Sequence, residues 1–125
     1  MREIKFRAWN GERMRAVWSI GWIDGEMDFI TTPKFSEPAE DCVLMQYTEM
    51  KDNKGVEIYE DDIVIVEIAI DSYREYFTGQ VKMNEGRWWV DNGRNAIPLW
   101  SEMREVAILG NIHENPELLK EQVTK

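Results

Sequence analysis

The stretch LMQYTEMKDNKGVEIYEDDIVIV, residues 44–66, decides the fold. It contains a strand, a polar turn at DNKG, an acidic corner and an apolar strand that continues to residue 70 as IVIVEIAI. Side chains alternate between the two faces of a strand. One face therefore carries Val64, Val66, Ile68 and Ile70, and the other begins with Ile63 and Ile65. We expect this strand to be buried on both faces at one end.

The segments outside this stretch also follow a strand-like period of two. Asn10-Gly11 and Asp24-Gly25 are hairpin-turn dipeptides and predict an antiparallel meander in the first third of the chain. Residues 32–41, TPKFSEPAED, contain two prolines without periodicity and predict a surface loop. Five short strands between residues 43 and 112 are sufficient for a small, strongly bent antiparallel barrel.

The C-terminal end predicts a short helix. Asn115 is a favourable helix cap, and Pro116 suits the first turn because its missing N–H has no partner there. The predicted fold is mainly β, a β-rich α+β arrangement in one domain of residues 1–125. Within it we expect an N-terminal β subdomain at 1–42, a barrel subdomain at 43–119 and a flexible tail at 120–125.

The charge of the chain is strongly acidic but uneven. The net charge is −9, which argues against broad binding to a phosphate backbone. Residues 1–18 nevertheless have a net charge of +3, because Glu3 and Glu12 are outnumbered by five basic residues: Arg2, Lys5, Arg7, Arg13 and Arg15. This asymmetry indicates either an ordinary solvated surface or a basic edge that docks on an acidic surface of a neighbouring copy.

The lack of a recognisable signal peptide or apolar span, together with a single cysteine, predicts a cytoplasmic protein without a membrane segment. No apolar run approaches the ~18 residues that cross a bilayer, and the N-terminus alternates charged and apolar residues, unlike a signal peptide. Cys42 is the single cysteine, so no internal disulfide is possible. It follows Glu40 and Asp41, whose negative charge disfavours a thiolate nucleophile.

Motifs for catalysis or cofactor binding are missing from the sequence. His113 is the only histidine, and the sequence has no HExxH, CxxC, GxSxG or GxxxxGK[ST] pattern. The densest carboxylate group, which we call the acidic corner, is Glu57, Glu60, Asp61 and Asp62. It could bind a divalent cation or act as acid and base, but we favour a structural role in shaping a turn. We predict no catalytic, metal or cofactor-binding residue, no cofactor and no enzymatic activity.

The tryptophans provide the candidate interface. Trp88 and Trp89 are adjacent in a predicted strand, so their side chains leave on opposite faces, Trp88 with Val90 and Trp89 with Arg87. If Val90 faces the core, Trp89 lies outside, and Trp9 likewise lies opposite an apolar face. Tryptophan is enriched at interface centres, so Trp9, Trp88, Trp89 and Arg87 are the candidate interface residues. The alternative is that the N-terminal meander of the same chain covers them.

Three segments resemble the YopX family of small phage and prophage proteins: KFRAWN at residues 5–10, LMQYTEMKDNKGVEIYEDDIV at 44–64 and VAILGNIHENPELL at 106–119. The resemblance implies an SH3-type barrel in the C-terminal part and expression inside a bacterial host. It implies no catalytic residue. Asp61 stands where the family commonly has Gly, and Asp tolerates a corner with positive φ better than most residues.

The leading functional hypothesis is therefore a non-enzymatic protein-binding or self-assembling module, with a protein partner and a possible homo-oligomer. One alternative is an acidic DNA mimic that inhibits a host nucleic-acid-binding protein. A second is direct nucleic-acid binding through the basic N-terminal edge, which the net charge disfavours. A third is a carboxylate-based hydrolase.

Overall fold

A computed structural model describes residues 4–32, 36–99 and 104–119. Within these ranges the chain is mostly strand, and it divides into two compact units, Met1–Tyr47 and Thr48–Lys125. The strands are β1 (Phe6–Trp9), β2 (Met14–Ala16), β3 (Ser19–Ile23), β4 (Glu26–Thr31), β5 (Ser36–Pro38), β6 (Val43–Lys51), β7 (Glu57–Tyr59), β8 (Asp62–Ile70), β9 (Tyr73–Asn84), β10 (Arg87–Asp91), β11 (Ala96–Pro98) and β12 (Arg104–Asn111).

The division between the two units falls within β6. The predicted subdomain boundary lies just before this strand, between residues 42 and 43, whereas the contacts divide the chain between Tyr47 and Thr48. β6 therefore begins in the first unit and ends in the second. None of the helical segments in the described ranges has the length and apolar character needed to span a bilayer.

The first unit contains the predicted antiparallel meander. β1 pairs with β2 and with the first residues of β6, and β3, β4 and β5 form a three-stranded sheet in that order. The turn between β1 and β2 places Gly11 at φ 97°, and the side-chain oxygen of Asn10 accepts the N–H of Arg13 at 2.8 Å. Asp24 and Gly25 both have positive φ, which confirms the second predicted hairpin turn.

The loop predicted for residues 32–41 is wrong over its second half. Residues 36–38 form β5, with Ser36 opposite Thr31 and Pro38 opposite Phe29, and a 3-10 turn follows at Ala39–Asp41. Residues 33–35 lie outside the described residues. A three-residue edge strand can accept a proline and does not need alternating polarity, so the period-two pattern could not reveal it.

The second unit is built on a five-stranded antiparallel sheet with the order β11-β10-β9-β8-β12. This sheet curls into a half-barrel, in agreement with the mainly β fold and antiparallel pairing predicted from the sequence. The sequence analysis expected five strands between residues 43 and 112, and the structure has β6 to β12 there. One addition is β7, which is three residues long and lies in the segment assigned to the acidic corner.

The core of the second unit lies against the concave face of this sheet. Its buried cluster is Ile58, Val64, Val66, Val81, Val90 and Leu99. Ile63 and Val64 point to opposite faces of β8, and both are 0% exposed, which confirms burial on both faces at one end of the strand. β8 is therefore an interior strand of this sheet, between β9 and β12, and its first residues are buried on both faces.

A short helical turn follows β12, as predicted. The N–H of Leu118 donates to the carbonyl of Asn115, and the N–H of Leu119 donates to that of Pro116. The side-chain oxygen of Asn115 turns back and accepts the N–H of Asn111 at 3.3 Å. The predicted tail at 120–125 lies outside the described residues.

From the burial of β8 we predict how a substitution in this strand changes the free energy of unfolding. Val66→Ala removes two methyl groups at a site that is 0% exposed, and we expect a loss of roughly 2 kcal/mol in the free energy of unfolding. The matched control is Val56→Ala in a turn of the same unit, where the side chain is 53% exposed and the expected change is within about 0.5 kcal/mol. Urea denaturation measures both, and equal losses would contradict the assignment of β8 as the core strand.

Candidate functional site

The acidic corner is organised around the backbone of Asp61. This residue has φ 71°, so the position that is commonly Gly in the resembling family does require a left-handed backbone, as predicted. Its N–H donates to the carbonyl of Val81 at 2.9 Å, and its carbonyl accepts the N–H of Ile112 at 3.0 Å. The turn before β8 is therefore fixed to β9 and to the segment after β12.

The Asp61 carboxylate extends the same connection. One oxygen accepts the side-chain N–H of Gln80 at 3.0 Å, and the other shares a hydrogen bond of 3.0 Å with Nε2 of His113. The side chains of His113 and Asp61 are 14% and 17% exposed. The only histidine of the chain thus joins two of the three segments that carried the resemblance, 44–64 and 106–119.

The segment that holds His113 is itself shaped by Asn111. The side-chain oxygen of Asn111 accepts the N–H groups of His113 and Glu114, and its amide donates to the Glu114 carboxylate. Gly110 precedes it at a close approach, because a Cβ there would lie 2.4 Å from the side-chain oxygen of Asn115. The GNIHEN sequence is therefore explained by local packing and hydrogen bonding.

The other carboxylates of the corner point to nearby protein groups. Asp62 is 2% exposed, and one of its oxygens accepts the N–H of Tyr59 at 2.8 Å. Glu57 lies 3.5 Å from the Tyr59 hydroxyl. Within the described ranges, no group of three or more His, Cys, Asp and Glu side chains is placed to hold a metal ion. This geometry suits a turn that orders the start of β8.

The DNKG turn is held by a second carboxylate, Asp52. Its oxygens accept the N–H groups of Lys54 and Val56 at 2.9 Å each, and that of Ile108 on β12 at 3.3 Å. Burial alone would raise the pKa of Asp52, but these hydrogen bonds outweigh that effect and hold the pKa below its ordinary value. Asp52 therefore fastens the turn to β12 in its charged form.

The predicted alternation of Trp88 and Trp89 is confirmed. Trp88 packs against the core beside the buried Val90, and Trp89 lies on the opposite face, between Lys82 of β9 and Pro98 of β11. The Trp89 indole N–H donates to the carbonyl of Asn84 at 3.1 Å, and the Arg87 guanidinium lies 5.7 Å from its ring centre. On β10, Trp89 and Arg87 thus lie on the outer face of the sheet, whereas Trp88 and Val90 lie on the core face.

Beside Trp89 the outer face of the sheet forms a cleft of about 320 Å³. The side chains of Lys82 and Asp91 lie across it, 3.8 Å apart, and Met83 and Ala96 complete its walls. The cleft is small and open, and it combines one indole with one pair of opposite charges. Its role as an interface stays a prediction.

The remaining predicted interface residue, Trp9, lies on β1 in the first unit and is half-buried. The basic residues near it do not share one face. Arg7 pairs with Ala16, whereas Arg15 pairs with the buried Ala8, so the two arginines lie on opposite faces of the β1–β2 hairpin. This placement divides the basic charge of the N-terminal segment.

The structure reveals a more exposed aromatic surface, which the sequence analysis did not single out. It lies on the β3–β4 hairpin, and we call it the apolar hairpin surface. Its side chains are Trp18, Trp22, Ile23, Met27 and Phe29, of which Trp18 and Trp22 are 69% and 61% exposed. Ile20 and Ile30 are paired on this hairpin, and Ile30 is 1% exposed. Side chains alternate along β3, so Ile20 and Trp22 share one face and Ile23 lies on the other.

A close cross-strand contact shapes this surface. Phe29 is paired with Gly21, and a Cβ on Gly21 would lie 2.1 Å from the Phe29 ring. The phenyl ring therefore lies directly over the glycine backbone. The sequence does contain a usable signal, because large apolar residues at both odd and even positions of residues 18–30 mean that one face must be exposed or covered by another molecule.

Cys42 is placed as an unreactive thiol. Its sulfur lies 3.9 Å from a carboxylate oxygen of Glu37. Burial, followed by the negative charges of Glu37 and Asp41, raises the pKa of the thiol. The direction predicted from neighbouring negative charge is confirmed, although burial is the larger cause.

Comparisons with known proteins agree with this architecture. The family model described as YopX protein matches residues 5–120. Among solved structures, the chain is similar to protein EF1440 from Enterococcus faecalis, with 26% identity, a TM-score of 0.67 and coverage of 95% of this chain and 99% of that chain. It is also similar to protein yopX from Bacillus subtilis, with 23% identity, a TM-score of 0.63 and coverage of 92% and 95%. The second likeness shows the fold alone. The comparison with curated proteins found no match.

The left-handed backbone at position 61 can be tested apart from the carboxylate. Asp61→Ala and Asp61→Gly both remove the hydrogen bonds to Gln80 and His113, but only alanine is strained at φ 71°. We expect the glycine variant to be more stable than the alanine variant by about 1 kcal/mol. Thermal and urea unfolding measure the difference, and an alanine variant as stable as the glycine variant would contradict the strained corner.

Asp52 predicts a specific dependence of stability on pH. Its folded pKa lies below the unfolded value of about 3.9, so its contribution is complete above that pH and is lost as the pH falls through the folded pKa. We expect Asp52→Asn to lower the free energy of unfolding at neutral pH and to approach the unmodified protein in acid. Asp28→Asn on the exposed β4 is the control for loss of one charge. A pH-independent difference for Asp52→Asn would overturn the assignment.

Proposed function

The chain belongs to the YopX family, and we propose that it acts as a non-enzymatic protein-binding module that also self-associates through the apolar hairpin surface. The exposure of two indoles, a phenyl ring and two aliphatic side chains on one hairpin carries this proposal. Single exposed apolar residues are ordinary, but five large ones on the two faces of one hairpin support an interaction surface.

The non-enzymatic part rests on how the candidate acid–base groups are used. Asp61 and His113 bond to each other, and the buried Asp62 receives a backbone N–H. These contacts connect β8, β9 and the segment after β12, so the groups have structural tasks. The family resemblance likewise implies no catalytic residue.

The cellular setting is part of the same proposal. The resemblance to phage and prophage proteins supports expression in the cytoplasm of a bacterial host. The half-buried Cys42, with its raised pKa, suits a reducing compartment in which a thiol stays unpaired. We propose a host or phage protein as the partner, beside further copies of the chain.

The cleft beside Trp89 is the competing surface within this proposal. Its indole N–H already donates to Asn84, and Arg87 lies near its ring, so part of its binding capacity is used within the protein. Trp18 and Trp22 present more exposed aromatic area. We therefore assign the main contact to the apolar hairpin surface rather than to Trp9, Trp88, Trp89 and Arg87.

Light scattering over a concentration series tests this assignment. We expect the average mass to rise above 14.8 kDa between about 1 and 100 μM, since interfaces of modest size have micromolar affinity. The double variant Trp18→Ser, Trp22→Ser should weaken association by about tenfold or more, because exposed tryptophans dominate binding energies. Trp89→Ser is the matched control and should have little effect.

Affinity capture from bacterial host cells with the same variants tests the proposed binding of a host or phage protein. A partner retained by the unmodified protein and by Trp89→Ser, but lost with the double variant, supports the proposal. A monomer at every concentration together with no specific partner would overturn it. Loss of association in Trp89→Ser alone would move the interface to the cleft.

A further inference from the structure

The two edges of the β3–β4–β5 sheet differ in how they are protected. Among the described residues, β3 and β5 each pair with β4 only. β5 is three residues long and carries Glu37 and ends at Pro38, features that discourage pairing with another strand. β3, with the sequence SIGWI, has neither a charge nor a proline. Its outer edge therefore presents backbone N–H and C=O groups that a further strand can use.

From this contrast we propose that β3 pairs antiparallel with β3 of a second copy, so that two three-stranded sheets join into one. This proposal rests on the proposed self-association and names its surface and geometry. Pairing of a strand with itself about a two-fold axis is the closed, isologous arrangement typical of homodimers. The exposed side chains of Trp22 and Ile23 then lie at the junction of both copies.

Charge favours a second copy at this edge. The chain has a net charge of −9, so two copies repel unless they meet at a neutral surface. β3 is neutral, whereas β4 carries Glu26 and Asp28. Antiparallel pairing also places the two acidic Asp24-Gly25 turns at opposite ends of the joined strands. Like charges are thus kept apart where the copies are in closest contact.

The size of the surface fits a dimer. A standard interface hides roughly 800 Å² per partner, of which about 60% is apolar. An aromatic side chain hides ~150–250 Å² when fully covered, so the apolar hairpin surface supplies on the order of 500 Å² per copy, distributed over the two faces of the hairpin. Aromatic and β-branched side chains are also the favoured neighbours across paired strands, and β3 contains Ile20, Trp22 and Ile23.

Edge-blocking variants test the surface. We expect Trp22→Lys, and independently Ile23→Lys, to raise the dimer dissociation constant by at least about tenfold, because a lysine on an edge strand opposes pairing. Tyr76→Lys in the second unit is the control, since this side chain is 63% exposed and lies away from β3 in the sequence. Circular dichroism and thermal unfolding of each variant establish that the fold is kept.

Residue-resolved amide exchange tests the strand pairing itself. Raising the concentration of the full chain from about 1 to 100 μM should slow exchange at alternate residues of 19–23, with no change at Ser36 and Glu37. Dimerisation that both lysine variants weaken, with protection of β3, supports the proposal. Dimerisation that neither variant changes, or that protects no β3 amide, overturns this inference but leaves self-association intact. A strictly monomeric protein overturns both.

Discussion

The second unit depends on the turn at Asp61, which joins three segments far apart in the sequence. The backbone of this residue bonds to Val81 and Ile112, and its carboxylate bonds to Gln80 and His113. The two backbone bonds are made by a residue with a left-handed backbone, and the two side-chain bonds need an acceptor at the same position. Since β8 begins at the next residue, the same turn sets where this buried strand enters the sheet. The acidic corner therefore has a structural role, because the carboxylates of Asp61 and Asp62 accept hydrogen bonds from neighbouring segments.

The alternation of apolar residues and the turn dipeptides predicted the parts of the structure that depend on neighbouring residues in the sequence. The alternation in residues 63–70 identified the buried strand, the Asn-Gly and Asp-Gly dipeptides identified two hairpins, and a family glycine at position 61 pointed to positive φ. β5 was missed because its partner strand, rather than its own sequence, makes it a strand. Alternation also shows which side chains share a face but not which face is covered. For that reason the exposure of Trp18 and Trp22 could not be read from their spacing.

Four of the tryptophans that the structure describes differ in their surroundings. Trp88 belongs to the core, and Trp89 is held by Asn84 and lies near Arg87. Trp18 and Trp22 remain largely open to solvent, although Ile30 of the same hairpin is buried. The phenyl ring of Phe29 lies over the backbone of Gly21, beside the register shift between Gly21 and Trp22. Side chains that the folded hairpin already holds in place lose little conformational entropy on association.

The solitary histidine has a practical consequence. Because the chain contains one imidazole, its ring C–H protons give a single, unambiguous pair of signals in a magnetic resonance spectrum. The ring sits against Asp61 at the junction of β8, β9 and the segment after β12. Any local opening that separates these segments changes the surroundings of that ring before the sheet itself melts. His113 is thus a built-in reporter that distinguishes loosening of the junction from unfolding of the whole unit.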